Sequence, residues 1–154
     1  MGAAVIDSIV YFAPFHADVI GVFDTTANEG KGEFSTISLE NKISGMWKFN
    51  GCVAIGHKIY FIPLHAGVIG VLDTAAKAGE SKFMTIPKEE MLGDYYFSGA
   101  SVVGTKIVLV PWDSDAVVVY DTAAKEGAGE FTSVSMRGKV QADENQFNGS
   151  AVVG

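Results

Sequence analysis

Apolar residues fall along this chain in short runs rich in Val, Ile, Tyr and Phe, broken at close intervals by Gly, Pro, Asn and Asp. Nowhere does an i, i+3, i+4, i+7 apolar pattern last for a dozen residues, so the periodicity predicts short strands and no long helix. Between residues 53 and 86 it predicts four of them, at 53–55, 59–62, 68–72 and 82–86. The link between the first two is Gly56-His57-Lys58, with Gly104-Thr105-Lys106 in the same role later, and glycine there supplies the positive φ of a tight hairpin. The runs 59–62 and 116–120 are apolar at consecutive positions instead of alternating. A strand of that kind is covered on both faces, so each small sheet must lie between neighbours.

The pattern is periodic. Residues 11–25 and 60–74 agree at 11 of 15 positions, and residues 108–122 form a third, more divergent copy, so the period is 49 and then 48 residues. The segment ahead of each copy repeats too, as Phe49-Asn50-Gly51, Phe97-Ser98-Gly99 and Phe147-Asn148-Gly149, each followed by small and aliphatic residues; Gly2 to Asp7 is a fourth copy without its Phe. A four-stranded unit of this length, buried on both faces by its own copies, describes a propeller blade. The expected division is one repeat domain over 1–154, with blade 1 at about 2–50, blade 2 at 51–98, blade 3 at 99–148 and a surplus strand at 149–154.

The strand order Ser-Ala-Val-Val-Gly, then Lys-Ile-Tyr-Phe-x-Pro, then Val-x-Val-Tyr-Asp-Thr, then a Phe-Thr strand resembles the kelch-type repeat. The resemblance covers nearly the whole chain three times. It departs after the second strand, where the kelch double glycine is replaced by Ala13-Pro14, Ile62-Pro63 and Val110-Pro111. It implies an all-β fold of propeller blades and says far less about activity, since such domains serve as binding scaffolds and as enzymes.

Propellers close with four to eight blades, so three leave two sheet faces bare. The expectation is a homodimer forming a six-bladed ring, with the third blade of one chain on the first blade of the other. The surplus strand then competes with residues 3–6 to complete a blade at the junction. The alternative is a β-trefoil, which also has three four-stranded repeats and closes as a monomer. A third reading takes the chain as a structural fragment of a longer array, natural or engineered, because it stops at Gly154 where a hairpin should begin.

Charge narrows the partners. Eleven basic against 18 acidic side chains give a net charge of −7, which repels phosphate backbones, so no nucleic-acid partner is expected. No apolar run approaches the ~20 residues of a membrane span, and the first residues lack the basic segment of a secretion signal, which predicts no membrane partner and leaves the compartment open. Cys52 is alone and can form no internal disulfide.

Candidate chemistry follows from what the repeat keeps and what it varies. Asp24, Asp73 and Asp121, each followed by Thr, recur in every copy, and an Asp-Thr ending a strand predicts a turn stabilised by side-chain hydrogen bonds. His16, His65 and Asp113 share one position after the second strand. Their spacing makes no local chelate, and no metal or other cofactor is expected. Cys52 stands where other copies have Ala or Ser, which predicts a packed thiol. The loop ahead of the first strand varies in kind, and it shares a rim with the loop after the second strand. Trp47, Tyr95 and Tyr96 are therefore expected to meet His65, Trp112 and Asp113 in a ligand site. Aromatic rings with polar handles suit a sugar or a peptide. No catalytic constellation is visible, so the expected function is a non-enzymatic binding or scaffold module for a protein, peptide or glycan, with a lectin-like module as the carbohydrate-binding variant.

Overall fold

A computed structural model of the chain describes residues 2–77, 82–88, 96–140 and 147–151. Twelve strands form three separate four-stranded sheets, each an antiparallel meander in chain order. The first holds β1 (Ala3–Ile6), β2 (Ile9–Phe12), β3 (Val19–Asp24) and β4 (Glu33–Ser38); the second holds β5 (Phe49–Ile55), β6 (Lys58–Pro63), β7 (Val68–Asp73) and β8 (Phe83–Pro87). The third holds β9 (Tyr96–Val103), β10 (Lys106–Asp113), β11 (Ala116–Asp121) and β12 (Glu130–Ser135). The protein is thus all-β, with one sheet per repeat. The first strand of each later sheet starts earlier than its apolar run suggests. Phe49 pairs with Pro63 and Cys52 with Phe61, with a bulge between them, and β9 is interrupted in the same way opposite Pro111. Proline has no N–H to donate to a ladder, so pairing there is broken without ending the strand.

Alternation gives each sheet two apolar faces, and the chain covers four of the six. Ile59 and Phe61 of β6, with Leu72 and Phe83, pack against Ala4, Tyr11 and Ile20 of the first sheet. Their neighbours Tyr60 and Ile62, with Ile69 and Val71, point the other way and pack against Ile107, Leu109, Tyr120 and Phe131 of the third sheet. The second sheet is therefore the filling, and Ile59, Phe61, Ile62 and Ile69 are wholly buried. The sheets approach most closely along their first strands, where β5 lies against both β1 and β9. Glycines line that approach: a Cβ added at Gly2 would sit in van der Waals contact with the Gly51 Cα, at 3.4 Å, and one added at Gly51 with the Gly99 Cα, at 3.6 Å.

The hairpins and third-strand turns obey the repeat. Gly56 and Gly104 take φ of 57° and 60° in the first hairpins, where Asp7 takes 51° in the first sheet. After β3, the Asp24 carboxylate accepts from the Thr26 N–H (2.8 Å) and hydroxyl (2.7 Å). Asp73 and Asp121 accept in the same way from the N–H groups of Ala75 (3.0 Å) and Ala123 (3.1 Å). The following threonines, Thr25, Thr74 and Thr122, each donate a hydroxyl to a carbonyl of the neighbouring hairpin, at Ser8, His57 and Thr105. The Asp-Thr pair is a clamp between two turns in all three sheets.

This clamp predicts a pH response. The Thr26 N–H and hydroxyl hold the Asp24 carboxyl below its ordinary 3.8, and the Thr105 hydroxyl and then the Ala123 N–H do so for Asp121. Folded carboxyls that titrate below unfolded ones leave the unfolded chain binding more protons in acid, so their contribution is complete above about pH 5 and is lost as pH falls through the lowered folded values. Between about pH 5 and 3 the melting temperature of the Asp24→Asn, Asp121→Asn double variant is expected to fall less steeply than that of the parent. Parallel curves from thermal melts would remove the clamp as the cause.

Candidate functional site

The loop after β2, the loop after β6 and the segment leading into β5 meet at one end of the sheets. That segment is held between the two loops. Lys48 N donates to Phe15 O (2.9 Å) in the loop of the previous repeat, while Leu64 N and His65 N donate to Lys48 O and Trp47 O (3.0 Å each) from the loop of its own repeat. The side chains of this rim form a continuous run of rings across all three repeats. Phe15 meets His16 at 4.7 Å between centroids, His16 meets Trp47 at 6.4 Å, Trp47 meets His65 at 5.1 Å and His65 meets Tyr96 at 4.6 Å.

Beneath the rings lies a cleft of about 480 Å³ lined by Phe15, Trp47, Asn50, Leu64, His65, Tyr96, Trp112 and Asn148. It brings together four residues expected from sequence, Trp47, His65, Tyr96 and Trp112. Asp113 pairs with Tyr96 across the β9–β10 ladder and is exposed, but it is not part of the lining. Tyr95 lies outside the described residues. His16 and His65 share the rim with Asp113, and among the described residues no three His, Cys, Asp or Glu side chains are grouped as metal ligands would be.

Trp47 stands out by its backbone. Its φ is +54°, the left-handed region that a bulky side chain seldom adopts, and its residue surface remains 46% exposed. The strained peptide is fixed on both sides by the hydrogen bonds of Lys48 N and His65 N, which turns the indole across His65. Half-exposed aromatic surface held by a strained backbone is an expensive arrangement for a residue whose only task is to fill space.

The anchor of the rim is Lys48, whose side chain is 1% exposed. Its Nζ donates to Gly45 O (2.7 Å), to His16 O (3.1 Å) and to the Asp18 carboxylate (3.1 Å), so all three ammonium protons are used. Sequence reasoning did not single it out. It also passed over Asn50 and Asn148, although these are the same position of the Phe-x-Gly repeat, and Phe15 and Leu64, which are the counterparts of Trp112 after the conserved-in-register proline of each repeat. The signal was available as equivalence: one lining residue in each repeat implicates the other copies.

Cys52 is buried away from the rim, with its Sγ 3.5 Å from Tyr11 O, and burial pushes its thiol pKa up to about 12. A thiol so protonated is no nucleophile near neutral pH. Among the described residues no helix is long and apolar enough to cross a membrane.

The chain matches no family profile, and no curated protein is similar to it. Among solved structures, a plant albumin from Cicer arietinum showing hemagglutination is similar over 88% of this chain and 66% of its own length, at 6% identity and a TM-score of 0.46. The chain spans about two thirds of that neighbour.

Proposed function

We propose that the three sheets are kelch-like propeller blades and that the chain is a non-enzymatic binding module, with the rim cleft as its site and a neutral glycan as its ligand. The observation that carries the reading is the lining itself: among the described residues it offers rings from all three repeats, two carboxamides and one imidazole, and no carboxylate, lysine or arginine. Flat apolar faces with a few fixed polar groups suit a ligand that presents C–H surface and hydroxyls together, and they offer nothing to a charged one. The blade reading rests on the meander order, the burial of the second sheet on both faces, and the close approach of the first strands at Gly2, Gly51 and Gly99; a trefoil needs no such stack. Trp47 and Trp112 are the only tryptophans of the chain, and both line the cleft. Titration with a panel of neutral mono- and oligosaccharides is therefore expected to quench or shift the intrinsic emission saturably for at least one sugar. Emission that moves with peptides alone, or with no member of either panel, sinks the glycan reading.

A further inference from the structure

The two sheet faces left bare are the two halves of an interface that the molecule already builds twice. In the first sheet Val10, Phe12, Phe23 and Phe34 share the outer face, since Val10 pairs with Phe23 and Phe23 with Phe34. Their repeat counterparts are Ile59, Phe61, Leu72 and Phe83 in the second sheet, and Ile107, Leu109, Tyr120 and Phe131 in the third. Both of those sets are buried against the sheet before them. At the other end, Val108, Val117 and Val119 lie half-exposed on the outward face of the third sheet, beside Val110, which is buried, and the counterparts of these four, Tyr60, Ile62, Ile69 and Val71, are the very residues that receive the third sheet's face. What is bare at one end is thus the donor set, and what is bare at the other is the acceptor set.

The exposure pattern agrees. Val5, Phe12 and Phe34 on the first face and Val103 and Val134 on the last are 42 to 64% exposed. The last face forms an apolar groove of about 390 Å³ with Val108, Val110 and Val117 on one side and residues 147–151 on the other. The chain exposes 8820 Å². A closed globule of its 16.3 kDa would expose roughly 7,500 Å². The surplus of roughly 1,300 Å² is on the scale of a specific protein interface.

Residues 147–151 form no ladder but run along β9, where Phe147 N donates to Pro111 O (3.2 Å), Ser98 Oγ donates to Phe147 O (2.8 Å) and Ser101 Oγ meets Ser150 Oγ (2.6 Å). Gly149 is the counterpart of Gly2, Gly51 and Gly99, so this segment lies in the lane that a following sheet's first strand would take. In the first sheet β1 pairs with β2 from Ala3 to Ile6. Yet β1 brings no Phe. In the second sheet Phe49 is wholly buried over Gly70, whose added Cβ would lie 3.0 Å from its ring. The first sheet has the matching Gly21 and no aromatic from its first strand, while Phe147 is 43% exposed.

We propose that the protein assembles head to tail with a second copy, the third sheet's Val108, Val110, Val117 and Val119 receiving the second copy's Val10, Phe12, Phe23 and Phe34, with Phe147 seated over the second copy's Gly21. Two such junctions close a ring of six sheets, and each supplies the rim with the neighbouring Phe15 and His16 beside Trp112 and Asn148. The inference stands on the sheet faces and is independent of which ligand the rim takes, because its readout is mass.

Light scattering decides it. The parent is expected at twice 16.3 kDa. Phe34→Glu disables one face and Val108→Glu the other, so each variant alone is expected as a folded monomer, and an equimolar mixture is expected to recover dimer through the one junction in which both faces are intact. Should Val108→Glu fail to give a native circular dichroism spectrum, Val134→Glu, on the same face and 64% exposed, replaces it. Deleting residues 147–154 is expected to return the protein to monomer. A parent that stays at 16.3 kDa at every concentration overturns the proposal. So does Val108→Glu dimerising alone, which would mean two first-sheet faces pair with each other. A dimer that survives loss of residues 147–154 overturns the seat given to Phe147.

Discussion

Lys48→Met is expected to destabilise the protein by about 2–3 kcal/mol, a fall of roughly 5–10 °C in melting temperature for a chain of this length. The side chain is buried among backbone carbonyls, and its three protons satisfy Gly45 O, His16 O and Asp18. A methionine of similar length fills the volume and donates nothing, so two part-buried carbonyls lose a charged donor. Leaving a buried acceptor unpaired costs about 1–3 kcal/mol, more when the lost donor carried charge. The sum stays below the range for a broken buried ion pair because Asp18 is 76% exposed and keeps its hydration. For the same reason Asp18→Ala is expected to cost under about 1 kcal/mol, the value of a surface pair. The two variants together locate the stabilisation in the carbonyls. Urea unfolding measures it, and a Lys48→Met midpoint indistinguishable from the parent would show that the ammonium anchors nothing.

Lys48 also shows where the sequence stopped being legible. Strands, faces and turns repeat, and a repeated feature can be recognised from its own copies: the apolar run 59–62 announced a sheet covered on both sides, and Asp24, Asp73 and Asp121 announced turns, whereas the run 116–120 lies in a sheet whose outer face this chain does not cover. Lys48 has Tyr96 as its counterpart, so no copy supports it, and a lysine read alone belongs at the surface. Its burial arises only when Gly45, the loop around His16 and the strand that begins at Phe49 are brought together in space. The early start of β5 was hidden for a related reason. A bulge opposite Pro63 breaks the alternation that marks a strand, although the chain remains extended through it. The rim fared better, because variation between copies is itself visible: Trp47, Tyr96 and Trp112 were separable from the repeat and line one cleft together with His65. Asn50 and Asn148 escaped because they looked like part of the repeat, and repetition had been taken as a mark of architecture. A repeated polar position serves the cleft as well as the sheet.

At Trp47 the expected result is a separation of binding from stability, with an inversion between two small replacements. Both Trp47→Ala and Trp47→Gly remove the indole that meets His16 and His65, and both are expected to abolish the fluorescence response to glycan that remains visible through Trp112. Their stabilities should differ. Alanine at a φ of +54° keeps the left-handed strain, roughly 1–2 kcal/mol for an L-residue, and glycine relieves it. Trp47→Gly is therefore expected to be more stable than Trp47→Ala by about 1 kcal/mol, the reverse of the usual order for these two residues in ordered structure. Relative to the parent, Trp47→Gly loses the contacts of a ring that is only partly covered, and the relief of strain offsets part of that loss, so its midpoint should move little. A tryptophan that served as a cap between sheets would behave otherwise, since truncating a buried ring costs about 3–5 kcal/mol. If Trp47→Gly melts that far below the parent while sugar titration through Trp112 is unchanged, the indole is packing and the cleft is not the site.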